Sequence, residues 1–257
     1  MKIPATGLVL TLNGERWIAG CIKSLSFCRH VLVVDSESSD RTIEIAEKYG
    51  ARILVNPWPG PIKQFEFAFR HINTPWVVSL DQDEIISDNL RQNLLSEFKA
   101  GLDPELAAYY CSRASFYFDR FLKHCGWYPD YLLRVFRLDQ IETHHSGPHY
   151  GFHTSGKTRR LNGDIIHYPY ANLQEHVNKI NYYTQVAAEE MHGRGKKGGL
   201  LKAIGHAKAR FFKIYFLKLG FLDGRAGLIL AVNSFFYTFQ KYIRLMELRA
   251  KKNNFFS

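Results

Sequence analysis

Apolar and polar positions in the first ninety residues alternate between short apolar runs and longer amphipathic stretches. Gly7-Leu8-Val9-Leu10-Thr11-Leu12 is an apolar run that stops at the turn pair Asn13-Gly14. Residues 16–25 place Trp17, Ile18, Cys21, Ile22 and Leu25 on one face at helical spacing. Residues 30–34 form a β-branched strand that ends at Asp35. Asp40 is placed to cap a helix over 41–49, which Gly50 closes. Residues 51–55, 62–72 and 76–80 continue as strand, helix and strand, and the last run ends in Asp81-Gln82-Asp83-Glu84. Strands alternating with helices of this length predict βαβ units and a mostly parallel sheet, an α/β fold whose ligands bind outside the carboxyl ends of the strands. Two acidic loops distant in sequence, at Asp35 and at Asp81 and Asp83, are therefore expected on one rim.

The second half changes character. Residues 109–166 are broken, aromatic and histidine-rich, which predicts short strands with long loops. Helices are expected over 173–191, 200–220 and 224–251, with a basic glycine-rich linker over 193–199. This divides the chain into an α/β domain of residues 1–172 and a helical extension of residues 173–257.

A length of 257 residues suits one large α/β domain with an appended helical segment, and a formal net charge of +10 favours polyanionic partners. Cys21, Cys28, Cys111 and Cys125 form no C-x-x-C pair, so reduced thiols in a cytoplasmic protein are expected rather than a zinc site. Met1-Lys2-Ile3-Pro4 does not open an apolar leader, and no run reaches the roughly 20 apolar residues of a membrane-spanning helix.

Asp81-x-Asp83 is the centre of the candidate chemistry. Two carboxylates at the tip of an apolar strand suit a hard divalent cation shared with substrate phosphates, and such a cation stabilises a departing diphosphate. The competing reading is a solvated turn with Glu84 capping a helix. Asp35, followed by Ser36, Ser38, Ser39 and Asp40, suits a base imino group or ribose hydroxyls, or else an Asx or Ser turn. Asp130 stands among Trp127, Tyr128 and Tyr131, where one carboxylate between aromatic faces suits a general base beside a sugar. Alternatively, Asp130 caps a helix and Trp127 is core. Arg134 and Arg137 are either a diphosphate clamp or surface arginines. The histidines at 144, 145, 149, 153 and 167 have no evident carboxylate partner or helical i,i+4 pairing. They read as acceptor or phosphate contacts rather than a zinc site.

Three of these stretches together carry a resemblance. Thr11-Leu12-Asn13-Gly14-Glu15, Val33-Val34-Asp35-Ser36-x-Ser38-x-Asp40-Arg41-Thr42 and Ser79-Leu80-Asp81-x-Asp83-Glu84 resemble the inverting glycosyltransferases of family 2. A narrower resemblance, to the bacterial lipopolysaccharide inner-core glucosyltransferases, rests on three further stretches. These are Gly126-Trp127-Tyr128-Pro129-Asp130 with Arg134-Val135-Phe136-Arg137, then Ile166-His167-Tyr168-Pro169-Tyr170, then Gly220-Phe221-Leu222-Asp223-Gly224-Arg225-Ala226-Gly227. The loop His144-His145-Ser146-Gly147-Pro148-His149 departs from that subgroup, which commonly carries an acidic residue after a histidine there.

The resemblance implies a GT-A fold, a Rossmann-like mixed sheet flanked by helices, and transfer of a sugar from a nucleotide donor, glucose from UDP-glucose, to a lipopolysaccharide-core or other lipid-linked acceptor. It implies that Thr11, Asn13, Glu15, Asp35, Lys63, Gln64 and Asp81 lie by the donor, and that Asp83 and Asp81 hold Mg²⁺ or Mn²⁺; Ser38, Arg134 and Arg137 join the donor side on the chemistry read above. Asp130 falls at the place of the catalytic base, with Trp127, Tyr128 and His149 on the acceptor side. A non-catalytic nucleotide-binding or peripheral membrane module with the same fold is the alternative.

Lysines and arginines at 196, 197, 202, 208, 210, 213 and 218 interleave with Leu200, Leu201, Ile204, Phe211, Phe212, Ile214, Tyr215, Phe216 and Leu217. A basic helix so rich in large apolar residues reads as a membrane-surface element on the inner face of the cell membrane, or as a helix that covers a core. The chain carries no nucleic-acid-binding motif.

Overall fold

The apolar runs at residues 3–11 and 76–80 are buried at nearly every position and form central strands. The computed structural model describes residues 2–146 and 149–252, without the side chains of 145, 146, 149, 150, 251 and 252. Parallel strands β1 (Ile3–Thr11), β2 (Cys28–Asp35), β3 (Arg52–Val55) and β4 (Trp76–Asp81) alternate with α1 (Ile18–Ser24), α2 (Thr42–Lys48) and α3 (Pro61–Phe69). Then follow β5 (Glu84–Ile86), α4 (Asp88–Ala100), β6 (Leu106–Tyr117), β7 (Arg120–Phe121), β8 (Asp130–Arg137), β9 (Glu142–Ser146), β10 (His149–His153) and β11 (Lys157–His167). The last elements are α5 (Leu173–Gly193), α6 (Leu200–Phe212) and α7 (Gly224–Lys252). The chain forms two compact units, Met1–Ala114 with Asp130–Tyr168, and Ser115–Pro129 with Pro169–Ser257.

The first unit is a mixed sheet in the order β3-β2-β1-β4-β8-β6-β11-β5, flanked by helices, and so has the expected α/β architecture. β8 runs antiparallel to β4, and β6 antiparallel to β8. These reversals matter for the site. The start of β8 and the end of β6 arrive at the edge where β1, β2 and β4 finish.

Alternation along the strands builds a core on each face. Val9, Val33, Val78 and Leu80 pack with Ile18 and Ile22 of α1 and Leu90 and Leu94 of α4. Leu8, Leu32, Val34 and Val77 pack with Phe65 and Ala68 of α3 and with Phe136 and Phe152. Ser87 caps α4 by accepting the Leu90 N–H at 3.3 Å. Gly163 has φ +98°, and a Cβ there would lie 2.4 Å from the Leu90 backbone nitrogen, so only glycine lets β11 pass α4.

Over 109–166 the structure departs from the expected short strands: β6 has 12 residues and β11 has 11. β6 is buried along most of its length, and a strand covered on both faces lacks the polar alternation by which strands are read.

In the second unit α5, α6 and α7 gather around Tyr117, Leu122, Cys125, Ile214, Ala226, Leu230 and Ala231. The helix expected over 200–220 ends at Phe212. A π turn over Lys213–Leu217, a left-handed Leu219 (φ +53°) and a 3₁₀ turn over Gly220–Asp223 replace its last part. Past the break, buried Asp223 takes the Lys123 and His124 N–H groups at 3.2 and 2.9 Å. Gly227 packs so closely that a Cβ would fall 1.9 Å from the Gly220 carbonyl oxygen. No helix among the described residues is long and apolar enough to cross a membrane.

A buried polar cluster in this unit makes stability depend on pH. His176 Nδ1 lies 2.9 Å from the Tyr117 hydroxyl, and Asn233 Nδ2 donates to the same hydroxyl at 3.0 Å. Burial, with a smaller contribution from Lys179, lowers the His176 pKa to about 4. The unfolded chain takes up this proton near pH 6.5 and the folded chain only near pH 4, so stability falls as pH drops through that window. The loss by pH 5 is about 2 kcal/mol. Urea unfolding at pH 7.5 and pH 5 should therefore show a larger acid loss in the wild type than in His176→Gln. Equal losses would contradict this.

Candidate functional site

The carboxyl edge of the parallel strands collects the acidic loops. Thr11 pairs with Asp35 across β1 and β2, and Leu10 pairs with Asp81 across β1 and β4, so the two acids flank one central strand. In an open α/β sheet this is the crevice where ligands bind.

The loops after β1 and β2 are stitched together. The Asn13 N–H donates to Ser38 Oγ at 2.8 Å, and the Ser39 N–H returns to Asn13 Oδ1 at 2.9 Å. The Gly14 N–H donates to Thr42 Oγ1 at 2.7 Å, and the Arg41 N–H to Glu15 Oε2 at 3.1 Å. Asp35 is fully buried, and its two oxygens accept the Ser38 N–H at 2.8 Å and the Ser38 hydroxyl at 2.5 Å. Asp40 accepts the Thr42 N–H at 3.0 Å and the Glu15 N–H at 3.1 Å. Thr11, Asn13, Glu15, Asp35 and Ser38 thus form one constrained wall, with left-handed Asn13 (φ +51°) at its turn.

Gln82 ties this wall to the next loop: its Oε1 accepts the Thr11 hydroxyl at 2.6 Å and the Leu12 N–H at 2.9 Å. Beside it, Glu84 is fully buried. It does not cap a helix, as its position after the turn allowed; it opens β5 and pairs with His167 of β11. Glu84 Oε2 accepts the Asp81 N–H at 3.0 Å, which fixes the turn. Its Oε1 accepts Arg113 Nη1 at 3.0 Å and Arg134 Nη2 at 2.9 Å. Arg134 Nη2 also reaches Asp81 Oδ2 at 2.6 Å, and Arg113 donates to Asp130 Oδ2 through Nε at 3.1 Å and Nη2 at 2.7 Å. A continuous chain of charge, Asp81–Arg134–Glu84–Arg113–Asp130, results. Burial pushes the Glu84 carboxyl above its ordinary pKa, while Arg134 and, less strongly, Arg113 oppose that rise. Burial likewise raises the Cys21 thiol, whose sulfur lies 3.5 Å from the Asp81 carbonyl oxygen. All four cysteines are buried and free, as expected.

Asp83 Oδ2 lies 3.7 Å from His167 Nε2, beyond a hydrogen bond. Both groups can serve as metal ligands, and with metal–ligand bonds of about 2.1 Å a small closing movement would bring them to the roughly 3 Å of adjacent ligands. No group of three or more histidine, cysteine, aspartate or glutamate residues capable of holding a metal occurs among the described residues. A hard cation here would take its remaining ligands from phosphate and water, its usual habit.

Other expected site residues stand differently. Gln64 is buried and braces the rim from within, donating to Ser36 Oγ and the Asn56 carbonyl, each at 3.1 Å. Lys63, beside it on the first turn of α3, is exposed. Arg134 is buried against Asp81 and Glu84 and is no exposed clamp. Arg137 pairs across β8 with Trp76, at the opposite end of β4 from Asp81, and binds Asp139. The structure does not bring it to the rim. Trp127 and Tyr128 belong to the second unit, where Trp127 packs edge-on to Tyr117 at 5.7 Å and joins the core. His149 lies opposite Ser146 in β10, and its side chain is outside the described residues, as are those of His145 and Tyr150.

Arg113, Gln82 and His167 were not assigned to the donor or the metal from sequence. Two further aromatics belong beside them: Trp17 stacks on Tyr168 at 4.7 Å, and the Tyr168 N–H donates to the Asp83 carbonyl at 3.0 Å. Arg113 had a readable signal, since a charged residue inside an otherwise apolar strand demands a buried partner. A cavity of about 720 Å³ in this unit lies at the other, amino edge of the sheet, lined by Lys2, Lys23, Arg29 and Arg52. None of the acidic rim residues lines it.

Comparison with known proteins identifies relatives. The profile described as Glycosyl transferase family 2 matches residues 8–155, more than half of the chain. An uncharacterized glycosyltransferase of Rickettsia typhi is 29% identical over 251 residues, 94% of this chain and 85% of that protein. The lipopolysaccharide core biosynthesis glycosyltransferase LpsC of Rhizobium meliloti is 27% identical over 263 residues, 98% and 95% of the two chains. Among solved structures, the mannosyltransferase PcManGT of Pyrobaculum calidifontis, in complex with GDP-Man and Mn²⁺, is similar with a TM-score of 0.48 and 15% identity, covering 99% of this chain and 88% of that one.

The buried position of Arg134 predicts a structural phenotype. Arg134→Met strips Glu84 and Asp81 of a shared partner and should cost about 3–5 kcal/mol in urea unfolding. Wild-type stability combined with selective loss of uridine diphosphate binding would instead make Arg134 a donor clamp.

Proposed function

The chain belongs to glycosyl transferase family 2, and from that membership we propose that it is an inverting enzyme that moves glucose from UDP-glucose to a lipopolysaccharide-core or other lipid-linked acceptor. The observation that carries this reading is the single rim on which Asp35, Asp81 and Asp83 meet the charge chain leading to Asp130. The similarity to LpsC supports the acceptor class.

In this reading the wall of Thr11, Asn13, Glu15, Asp35 and Ser38 receives the nucleotide. Each Asp35 oxygen retains a lone pair beyond its bond from Ser38, which suits a base imino group. Lys63 and Asp81 flank the donor, and Asp83 with His167 would hold Mg²⁺ or Mn²⁺, which would supply positive charge for the departing diphosphate. Asp130 takes the proton of the acceptor hydroxyl as its oxygen bonds to the anomeric carbon. The bond from that carbon to the phosphate oxygen breaks on the opposite face, and the nucleoside diphosphate leaves with the electron pair. One base and one displacement invert the anomeric configuration.

Two variants separate binding from chemistry. Asp83→Ala should weaken manganese-dependent UDP binding about tenfold or more in calorimetry with little change in thermal stability. Asp130→Asn should keep UDP affinity and lose about 10²–10⁴-fold in turnover. Unchanged affinity in the first, or near wild-type transfer in the second, would remove the corresponding role.

The acceptor class also gives the second unit a role at an anionic membrane surface. Leu201, Phe212, Phe216, Leu217, Phe221 and Leu222 are all exposed, and Lys202, Lys208, Lys213 and Lys218 interleave with them. A groove of about 510 Å³ between α6 and α7 is lined by Phe211, Phe212, Val232, Phe235, Phe236 and Lys208. Basic residues contribute about 1 kcal/mol each at such a surface, screened over ~8 Å by salt, whereas aromatic insertion is not screened. Co-sedimentation with phosphatidylglycerol liposomes should exceed that with neutral ones and fall only in part at high salt. Failure to bind either would return the segment to a core-covering role.

A further inference from the structure

We infer that Arg113 is a positioning residue for the Asp130 base and that buried Glu84 holds it in place, so the donor-side carboxylates and the base keep one spacing. The inference rests on the reading of Asp130 as the base.

The geometry carries it in three steps. Arg113 and Asp130 are direct cross-strand partners of β6 and β8, the closest placement a sheet offers to opposite charges. Both Arg113 bonds fall on Oδ2 of Asp130, so the carboxylate is gripped by one oxygen and Oδ1 accepts no bond from the described residues. A proton-accepting carboxylate held in this way presents one oxygen in a set direction. The guanidinium in turn cannot swing, because its Nη1 is fixed on Glu84 Oε1, an atom with no exposure to water.

The same oxygen accepts Arg134, which reaches Asp81. Arg134 gets there by a bulge. Tyr109 pairs with Val135 and Tyr110 with Leu133, so Arg134 is the extra residue that β6 does not match. Bulges beside sites commonly re-aim a side chain in this manner. Glu84 thus braces the donor turn through Asp81 and the acceptor side through Arg113, with no flexible segment between them.

The test uses the full chain with Arg113→Ala, Arg113→Lys and Asp130→Asn, measuring turnover, UDP affinity with manganese by calorimetry, and rescue by added guanidinium ion. Misplacing the base should lower turnover of Arg113→Ala about 100-fold, while UDP affinity stays within about threefold. Arg113→Lys should retain more turnover than the alanine variant. Guanidinium should restore part of the activity of Arg113→Ala and none of Asp130→Asn. Wild-type turnover of Arg113→Ala beside an inactive Asp130→Asn overturns the positioning role and leaves the base reading intact. An active Asp130→Asn removes the base and the inference with it. Turnover and UDP affinity falling together in both Arg113 variants, without guanidinium rescue, overturns the inference in favour of a purely structural ion pair.

Discussion

A carboxylate taken fully out of water must be matched by donors, and Glu84 is matched by two arginines and one backbone N–H. That constraint organises the carboxyl edge of the first unit. The bond from the Asp81 N–H fixes the turn that carries Asp81 and Asp83. Satisfying the Arg134 side requires the bulge in β8, and satisfying the Arg113 side holds the β6–β8 pair together where Asp130 begins its strand. Asp81, Glu84 and Asp130 sit together because guanidinium groups stand between them.

Topology makes this convergence possible. Parallel strands alone would bring Thr11, Asp35 and Asp81 to one edge, as they do here. Reversing β8 and β6 adds the start of one strand and the end of the other to the same edge, and so adds Asp130 and Arg113. A mixed sheet thus brings the acids after β1, β2 and β4 and the Arg113–Asp130 pair to one edge on paired strands.

The wall at 11–15 and 35–42 and the acids at 81 and 83 were legible in the sequence because each is local: an apolar strand followed at once by a polar turn. The roles of Glu84, Arg113 and His167 were not, since they depend on which strands pair and in what register. Nothing near Glu84 distinguishes a helix cap from a buried strand residue until β11 lies beside it. Arg134 and Arg137 look alike in sequence, three residues apart, yet the bulge buries the first in the acid cluster while the second ends the strand at the far edge. Trp127 was read as an acceptor aromatic or as core, and its packing against Tyr117 shows how much of it the second unit's core uses. The break after Phe212 is hidden in the sequence because a π turn keeps a near-helical spacing of apolar residues.

In the proposed reading the carboxyl-edge rim, and not the basic cavity at the amino edge, receives the nucleotide and its cation. Crystals grown with UDP and Mn²⁺ and measured at the manganese absorption edge test it in one experiment. An anomalous peak beside Asp83 and His167, with the diphosphate against it and the base by Asp35, is the predicted result. A peak and nucleotide density among Lys2, Lys23, Arg29 and Arg52, with none at Asp83, would contradict it.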